Sequence, residues 1–188
     1  YADCVPLFFV DPVHKAIGLS HSGWRGTVGK IGKVTVEKMA EEFQTDPSEL
    51  YAAIGPSICQ NCYEVSEDVI DQFKEAFEEK YWDVLFYRKP DGKYQLNLWE
   101  ANRRIFLDAG IKEERISMPG ICTCCNPLFL YSHRAFARLL HFPGYFFRLS
   151  LLSRFPPALS RTPCAPLWVC VAPGTSSAIF PLLPVLHS

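Results

Sequence analysis

No aspartate or glutamate follows Glu114 in this chain of 188 residues, and no lysine follows Lys112. Residues 1–134 carry 15 Lys and Arg against 20 Asp and Glu, whereas residues 135–188 carry only Arg138, Arg148, Arg154 and Arg161. Eight of the 15 prolines also lie in that second stretch, so two compositions meet near Ala135. Charge is absent altogether from residues 162–188, which include LWVCV and AIFPLLPVL. Pro163, Pro166, Pro173, Pro181 and Pro184 interrupt this segment, each removing a backbone donor. No run of roughly 18 apolar residues survives, which argues against a membrane-spanning helix. No helical or alternating period is sustained either. Residues 135–188 are therefore expected to be a Pro-rich tail that is non-native or poorly ordered: a frame-shifted or misassigned reading, or a divergent appendage. The net charge of −1 offers no basic field for nucleic acid. No basic stretch precedes an apolar run at residue 1, so no secretory signal is read there.

With 48% hydrophobic and 21% charged residues, the chain falls in the range of globular domains and can bury a core. Its eight cysteines are too dilute for a small disulfide scaffold. Val5–Val10 is a continuous apolar run ended by Asp11-Pro12, and Ala16–Ser20 follows as a second strand, which predicts a hairpin. Gly23, Gly26 and Gly29 mark a loop, and Val34, Met39 and Phe43 take up helical spacing after it. Asp46-Pro47-Ser48-Glu49 reads as a turn or short helix start, and Tyr51–Ile54 as a strand. Ser66 is placed to cap a helix with Val69, Ile70, Phe73 and Phe77 on one face. Val84–Tyr87 and Tyr94–Leu96 flank Pro90-Asp91-Gly92-Lys93 as a second hairpin. Asn97 caps a further helix, apolar at Leu98, Ala101, Ile105 and Ala109 and stopped by Gly110. The pattern predicts an α+β fold with mixed or antiparallel sheets, and a domain over residues 1–134.

The first hairpin holds the clearest chemistry. Cys4 precedes its first strand and His21 ends the second, so the turn brings residues 17 apart to one end. Thiolate and imidazole are good zinc ligands, and the same pair suits a Cys-His nucleophile. A strand cysteine is also commonly a small buried hydrophobe, and a histidine at a strand end a satisfied surface group. Asp3 is placed to orient an imidazole or to stand behind the ligands.

The segment ADCVPLFFVDPVHKAIGLSHSGWRGTVGKI resembles the signature of the laccase-domain family, once called multicopper polyphenol oxidases. IGPSICQNCYEV, NLWEANRRIFLDAGI, Cys122-Thr123 and LYSHR resemble its later motifs, in family order over residues 1–134. The resemblance implies a zinc-dependent purine nucleoside enzyme that phosphorolyses adenosine, inosine, guanosine and methylthioadenosine and deaminates adenosine. Its substrates are then purine nucleosides and phosphate, with no nucleic acid or membrane partner. It also implies that Cys4 and His21 are two of three metal ligands, the third being a histidine upstream of the ADC motif. His14 is the nearest histidine in sequence, but it falls in the hairpin turn, at the wrong end. Where the family continues after SHR with a Gly-rich basic stretch, this chain has AFARLLHF.

Arg25 follows directly in Trp24-Arg25-Gly26 and is a candidate for phosphate or purine binding, or equally an arginine bracing its loop through backbone carbonyls. Cys59-x-x-Cys62 and Cys122-x-Cys124-Cys125 are compatible with a second zinc site, but the long gap favours reduced thiols lining the core or pocket. Trp99, Tyr63 and Tyr131 are expected in the core, and Asp83, Glu100 and Asp108 at the surface or in caps. The rival readings are a metal-independent Cys-His hydrolase, with Cys4 as nucleophile and His21 as base, and a non-catalytic fragment. Phenol oxidation is disfavoured, because the five histidines form no His-x-His cluster for a multicopper centre. Cysteine usage fits a reducing, cytoplasmic setting.

Overall fold

The structure, a computed structural model, describes residues 2–140 and residues 180–181. The expectation for the remainder of the tail lies outside the described residues. Strands β1 (Val5–Asp11) and β2 (Ala16–Ser22) form an antiparallel hairpin in register from Val5↔Ser22 to Asp11↔Ala16. Asp11 closes its turn. Its carboxylate accepts the backbone N–H groups of Val13 and His14, and lies 2.9 Å from His14 Nδ1. His14 therefore sits at the end of the hairpin opposite Cys4 and His21. Burial pushes the Asp11 carboxyl up, but the Thr45 hydroxyl beside it and the donors of His14 and Val13 outweigh this and hold it at about 2.

Strand β3 (Tyr51–Ile54) pairs antiparallel with β1, and a short strand at Ile116–Ser117 pairs parallel with β3. Residues Phe180–Pro181 pair antiparallel with Ala16 and Ile17 of β2. A smaller antiparallel sheet joins β4 (Glu64–Val65), β5 (Phe86–Arg88) and β6 (Tyr94–Leu96), with β6 in the middle. The helices are α1 (Trp24–Val28), α2 (Ile31–Phe43), α3 (Glu67–Ala76), α4 (Trp82–Leu85), α5 (Leu98–Asp108) and α6 (His133–Leu140). This is an α+β arrangement with one mixed and one antiparallel sheet, as the sequence predicts. Helix α6 runs across the change in composition near Ala135. Among the described residues no helix is long and apolar enough to cross a membrane.

The core lies where one face of β1 meets α2 and α5. Leu7, Phe9, Val36, Met39, Ile105 and Phe106 are buried there, with Phe9 and Phe106 edge-to-face at 5.1 Å. Gly32 lets α2 approach closely, because a Cβ there would stand 3.0 Å from Phe106 Cε1. The run Val5–Val10 is not buried throughout, for Phe8 and Val10 turn outward and are exposed while Pro6 on the same face is covered.

Three local readings differ from the structure. The stretch punctuated by Gly23, Gly26 and Gly29 contains a helical turn, since the backbone N–H and the hydroxyl of Thr27 both donate to Gly23 O. The strand expected at Val84–Tyr87 starts at Phe86, because fully buried Leu85 is recruited into α4 and Trp82 Nε1 donates to Phe77 O. Tyr131 is exposed rather than in the core, whereas Trp99 and Tyr63 pack against buried residues.

Candidate active site

The hairpin register decides the neighbourhood of Cys4. His21 faces Pro6 and Ser22 faces Val5, so the residues just beyond, Cys4 and Gly23, come level with each other. A methyl group placed on Gly23 would lie 3.2 Å from Cys4 Sγ and 4.0 Å from His21 Nε2. Sulfur and imidazole thus border the same small space, which the missing side chain of Gly23 leaves open.

Buried polar bonds hold this end of the hairpin in place. Ser22 Oγ donates to Asn102 Oδ1 at 2.8 Å, and Asn102 Nδ2 donates to Thr27 Oγ1 at 3.3 Å and to Leu98 O at 2.8 Å. Ser22, Thr27 and Asn102 are all fully buried, so β2, α1 and α5 are tied together directly beneath the site. On the other side, buried Asp3 accepts from Thr123 Oγ1 and from the backbone N–H of Arg134, both at 2.8 Å. Ile58 N donates to Asp3 O at 3.0 Å. Asp3 holds this position with φ of 70°, a left-handed conformation that an L-residue other than glycine adopts at some cost. It connects the entry to β1 with the 121–126 turn and the start of α6, where Ser132 Oγ caps the N–H of Ala135.

Burial raises the Cys4 thiol above its ordinary value, with the Asp3 carboxylate adding to the effect. Burial lowers the His21 imidazole below its own. Both shifts favour the uncharged forms, thiol and neutral imidazole. Neutral imidazole is the ligating form, and metal binding would displace the thiol proton. A neutral imidazole is also the form that acts as base toward a neighbouring thiol, so the pair suits both the metal-ligand and the Cys-His readings.

Beside the pair lies a cleft of about 360 Å³ lined by Trp24, Tyr63, Val69, Lys93 and Arg134 among others. Burial drives the Tyr63 hydroxyl up to about 12, with the charges of Arg134, Cys4, Asp3 and Arg25 as smaller influences. The Arg134 guanidinium lies 5.3 Å from the Tyr63 ring centre and donates to Glu64 O at 2.8 Å. Lys93 pairs with Glu64 at 2.7 Å. Arg25 is exposed and stands 4.2 Å over the Trp24 ring at the border of the cleft. It rests on an aromatic face, a contact its sequence context left unspecified. Sequence reasoning passed over Arg134 although it ends the quoted LYSHR motif. A cation closing that motif was the available signal.

The cysteines expected to line the core do more than that. The sulfurs of Cys59, Cys62, Cys122 and Cys125 all lie within 4.8 Å of one another, while Cys124 is buried outside this set. Among the described residues these four form the one grouping of three or more metal-ligating side chains. Cys4 and His21 have no third ligand among them.

A family model described as multi-copper polyphenol oxidoreductase laccase matches residues 1–140. The chain is 43% identical over 134 residues to purine nucleoside phosphorylase YlmD of Bacillus subtilis (strain 168), covering 71% of this chain and 48% of that protein. It is 38% identical over 133 residues to adenosine deaminase RL5 of an unknown prokaryotic organism, covering 71% and 50%. The crystal structure of YlmD from Geobacillus stearothermophilus superposes with a TM-score of 0.67 at 38% identity, covering 72% of this chain and 50% of that one. The chain spans about half the length of the relatives it matches.

Proposed function

Because the chain belongs to the multi-copper polyphenol oxidoreductase laccase family, we propose that it carries the Cys4–His21 part of a zinc-dependent enzyme acting on purine nucleosides. The proposed reactions are phosphorolysis, including that of methylthioadenosine, and deamination of adenosine, which classes the protein as a transferase and hydrolase. The observation that carries this reading is the convergence of Cys4 Sγ and His21 Nε2 over Gly23, beside a cleft with aromatic and cationic walls. The names of its relatives, purine nucleoside phosphorylase and adenosine deaminase, support it.

The donor types fit zinc, and they supply two of the three protein ligands that a catalytic zinc site uses. The third donor has to come from outside the described residues. Bound there, zinc would supply Lewis-acid polarisation of a substrate or nucleophile oxygen. The remaining roles belong to this chain. Trp24 and Tyr63 offer ring faces to a purine. Arg134, Lys93 and Arg25 offer positive charge to phosphate at the cleft and its border. In phosphorolysis a phosphate oxygen forms a bond to the ribose anomeric carbon while the glycosidic C–N bond breaks, and the base leaves with a proton. The thiols of Cys4, Cys59, Cys62, Cys122 and Cys125 fit a reducing compartment, and we place the protein in the cytoplasm on that ground.

The test is a chimera in which YlmD of Bacillus subtilis supplies the part of the relatives that this chain does not match. Inosine and adenosine are incubated with and without phosphate, and bases, ribose phosphate and inosine are separated by chromatography. The reading predicts phosphate-dependent release of base and conversion of adenosine to inosine. Cys4→Ala or His21→Ala should lower both by more than about 100-fold, beyond the 10- to 100-fold typical of groups that only support a ligand. Turnover unchanged in both variants overturns it.

A further inference from the structure

The geometry points to a second metal site, separate from Cys4 and His21: a structural four-cysteine site for zinc or another soft divalent ion. Two C-x-x-C pairs build it. Cys59 caps and Cys62 ends the short 3-10 turn Gln60–Cys62, and Cys122 and Cys125 stand at the two ends of the turn that leads to Asn126. Cys62 Sγ lies 3.5 Å and Cys59 Sγ 4.0 Å from Cys125 Sγ, and no pair of the four exceeds 4.8 Å. Four thiolates bound tetrahedrally at about 2.3 Å stand about 3.8 Å apart. That spacing falls inside the range of 3.5–4.8 Å that the four sulfurs span, so shifts of under about 1 Å, opening the 3.5 Å pair and closing wider ones, bring them to it.

The backbone is already arranged for charge on sulfur. The N–H of Cys59 donates to Cys122 Sγ at 3.3 Å, and the N–H of Cys125 donates to the same atom at 3.4 Å. Such donors favour the thiolate that a metal requires. Cys125 is exposed and Cys59 half-buried, so an ion can enter.

The site also has a structural task. Among the described residues the buried cluster around it consists of Ile58, Cys62, Cys122, Cys124 and Ala135, with Tyr63 and Trp99 packed against it, a small apolar group to hold two irregular segments. Backbone bonds between the segments are Ser57 N to Ile121 O and Thr123 N to Ser57 O, both 3.1 Å. Thr123 in turn donates to Asp3, the neighbour of Cys4. An ion held by the four sulfurs fixes Thr123, and through Asp3 it positions Cys4.

The experiment uses the full chain, purified reduced and stripped of metal, titrated with Co²⁺ and separately with Zn²⁺. Co²⁺ should give the thiolate charge-transfer and intense visible bands of a tetrahedral four-sulfur site at one equivalent. Zn²⁺ should bleach those bands stoichiometrically. Cys59→Ser and Cys125→Ser should each weaken binding at least 10-fold, whereas Cys124→Ala, at a buried cysteine outside the set, should keep the spectrum. Cys4→Ala should keep it too, which separates this site from the one proposed for nucleosides. Circular dichroism of the exposed-site variant Cys125→Ser guards against loss of fold. Three results overturn the inference. One is a reduced chain that takes up no ion with a four-sulfur spectrum. Another is binding unaffected by Cys125→Ser. The last is peptide mapping that finds a Cys62–Cys125 disulfide in protein isolated with its thiols trapped.

Discussion

Asn102 provides the sharpest test of how the fold supports the site. It is fully buried in α5, yet it bonds to Ser22 of β2 and Thr27 of α1, the two elements that flank Gly23. Asn102→Ala deletes three hydrogen bonds, each worth about 1 kcal/mol net. Ser22 is not stranded, because its hydroxyl can turn to Thr27 Oγ1 at 2.9 Å, and Thr27 keeps its bond to Gly23 O. The expected loss is therefore about 3 kcal/mol, without the further penalty of a buried group left without a bond. Asn102→Asp is the more severe change at pH 7. It keeps the acceptor for Ser22 but turns an acceptor toward Leu98 O and buries a charge. Its cost should shrink as acid protonates the new carboxyl. Urea unfolding followed by circular dichroism reads both variants. An Asn102→Ala loss below about 1 kcal/mol, or an Asp variant as stable as the parent at pH 7, would refute the view that this network anchors the hairpin end.

Gly32→Ala should destabilise by about 1–3 kcal/mol in the same assay, because its Cβ would stand 3.0 Å from Phe106 Cε1 and 3.3 Å from Leu7 Cδ1. Asp11 is held at about 2, below the ordinary carboxylate value, so its stabilisation is complete above about pH 4 and lost as pH falls toward 2. Asp11→Asn should cost about 2 kcal/mol at neutral pH and flatten the stability profile between those two values; an unchanged acid limb counts against it. Gly23→Val should fill the space between Cys4 Sγ and His21 Nε2 and weaken zinc binding by the pair at least 10-fold, with unfolding still cooperative; undiminished binding there would show that the pair does not share an ion.

The hairpin and the amphipathic helices were legible because short-range patterns determine them. VPLFFV stops at Asp11-Pro12, and Val69, Ile70 and Phe73 recur on one face. Helix α1 was not legible, since Gly23 and Gly29 look like loop punctuation and the helical turn is held by Thr27 reaching back to Gly23 and by buried partners from distant segments. That Cys4 and His21 come to the same end of the hairpin followed from the strand–turn–strand order, whereas their reading as metal ligands came from the family resemblance. The four-cysteine cluster was not legible. Its two halves meet only because the Ser57↔Cys122 bridge extends the parallel pairing of Ala52 and Ala53 with Ile116 and Ser117. Arg134 reaches the cleft only because Asp3, 131 positions earlier, receives the N–H at the start of α6.

On the proposed function, Cys4 and His21 share one zinc ion beside a cleft that receives a purine nucleoside. Nuclear magnetic resonance of the chain labelled at histidine and cysteine, carrying Cys59→Ser and Cys125→Ser to silence the second site, addresses it most directly. Zinc should shift the His21 ring nitrogens and the Cys4 Cβ signal in concert, and inosine should then perturb Trp24 and Tyr63. Zinc that moves neither Cys4 nor His21, or moves one without the other, would contradict it.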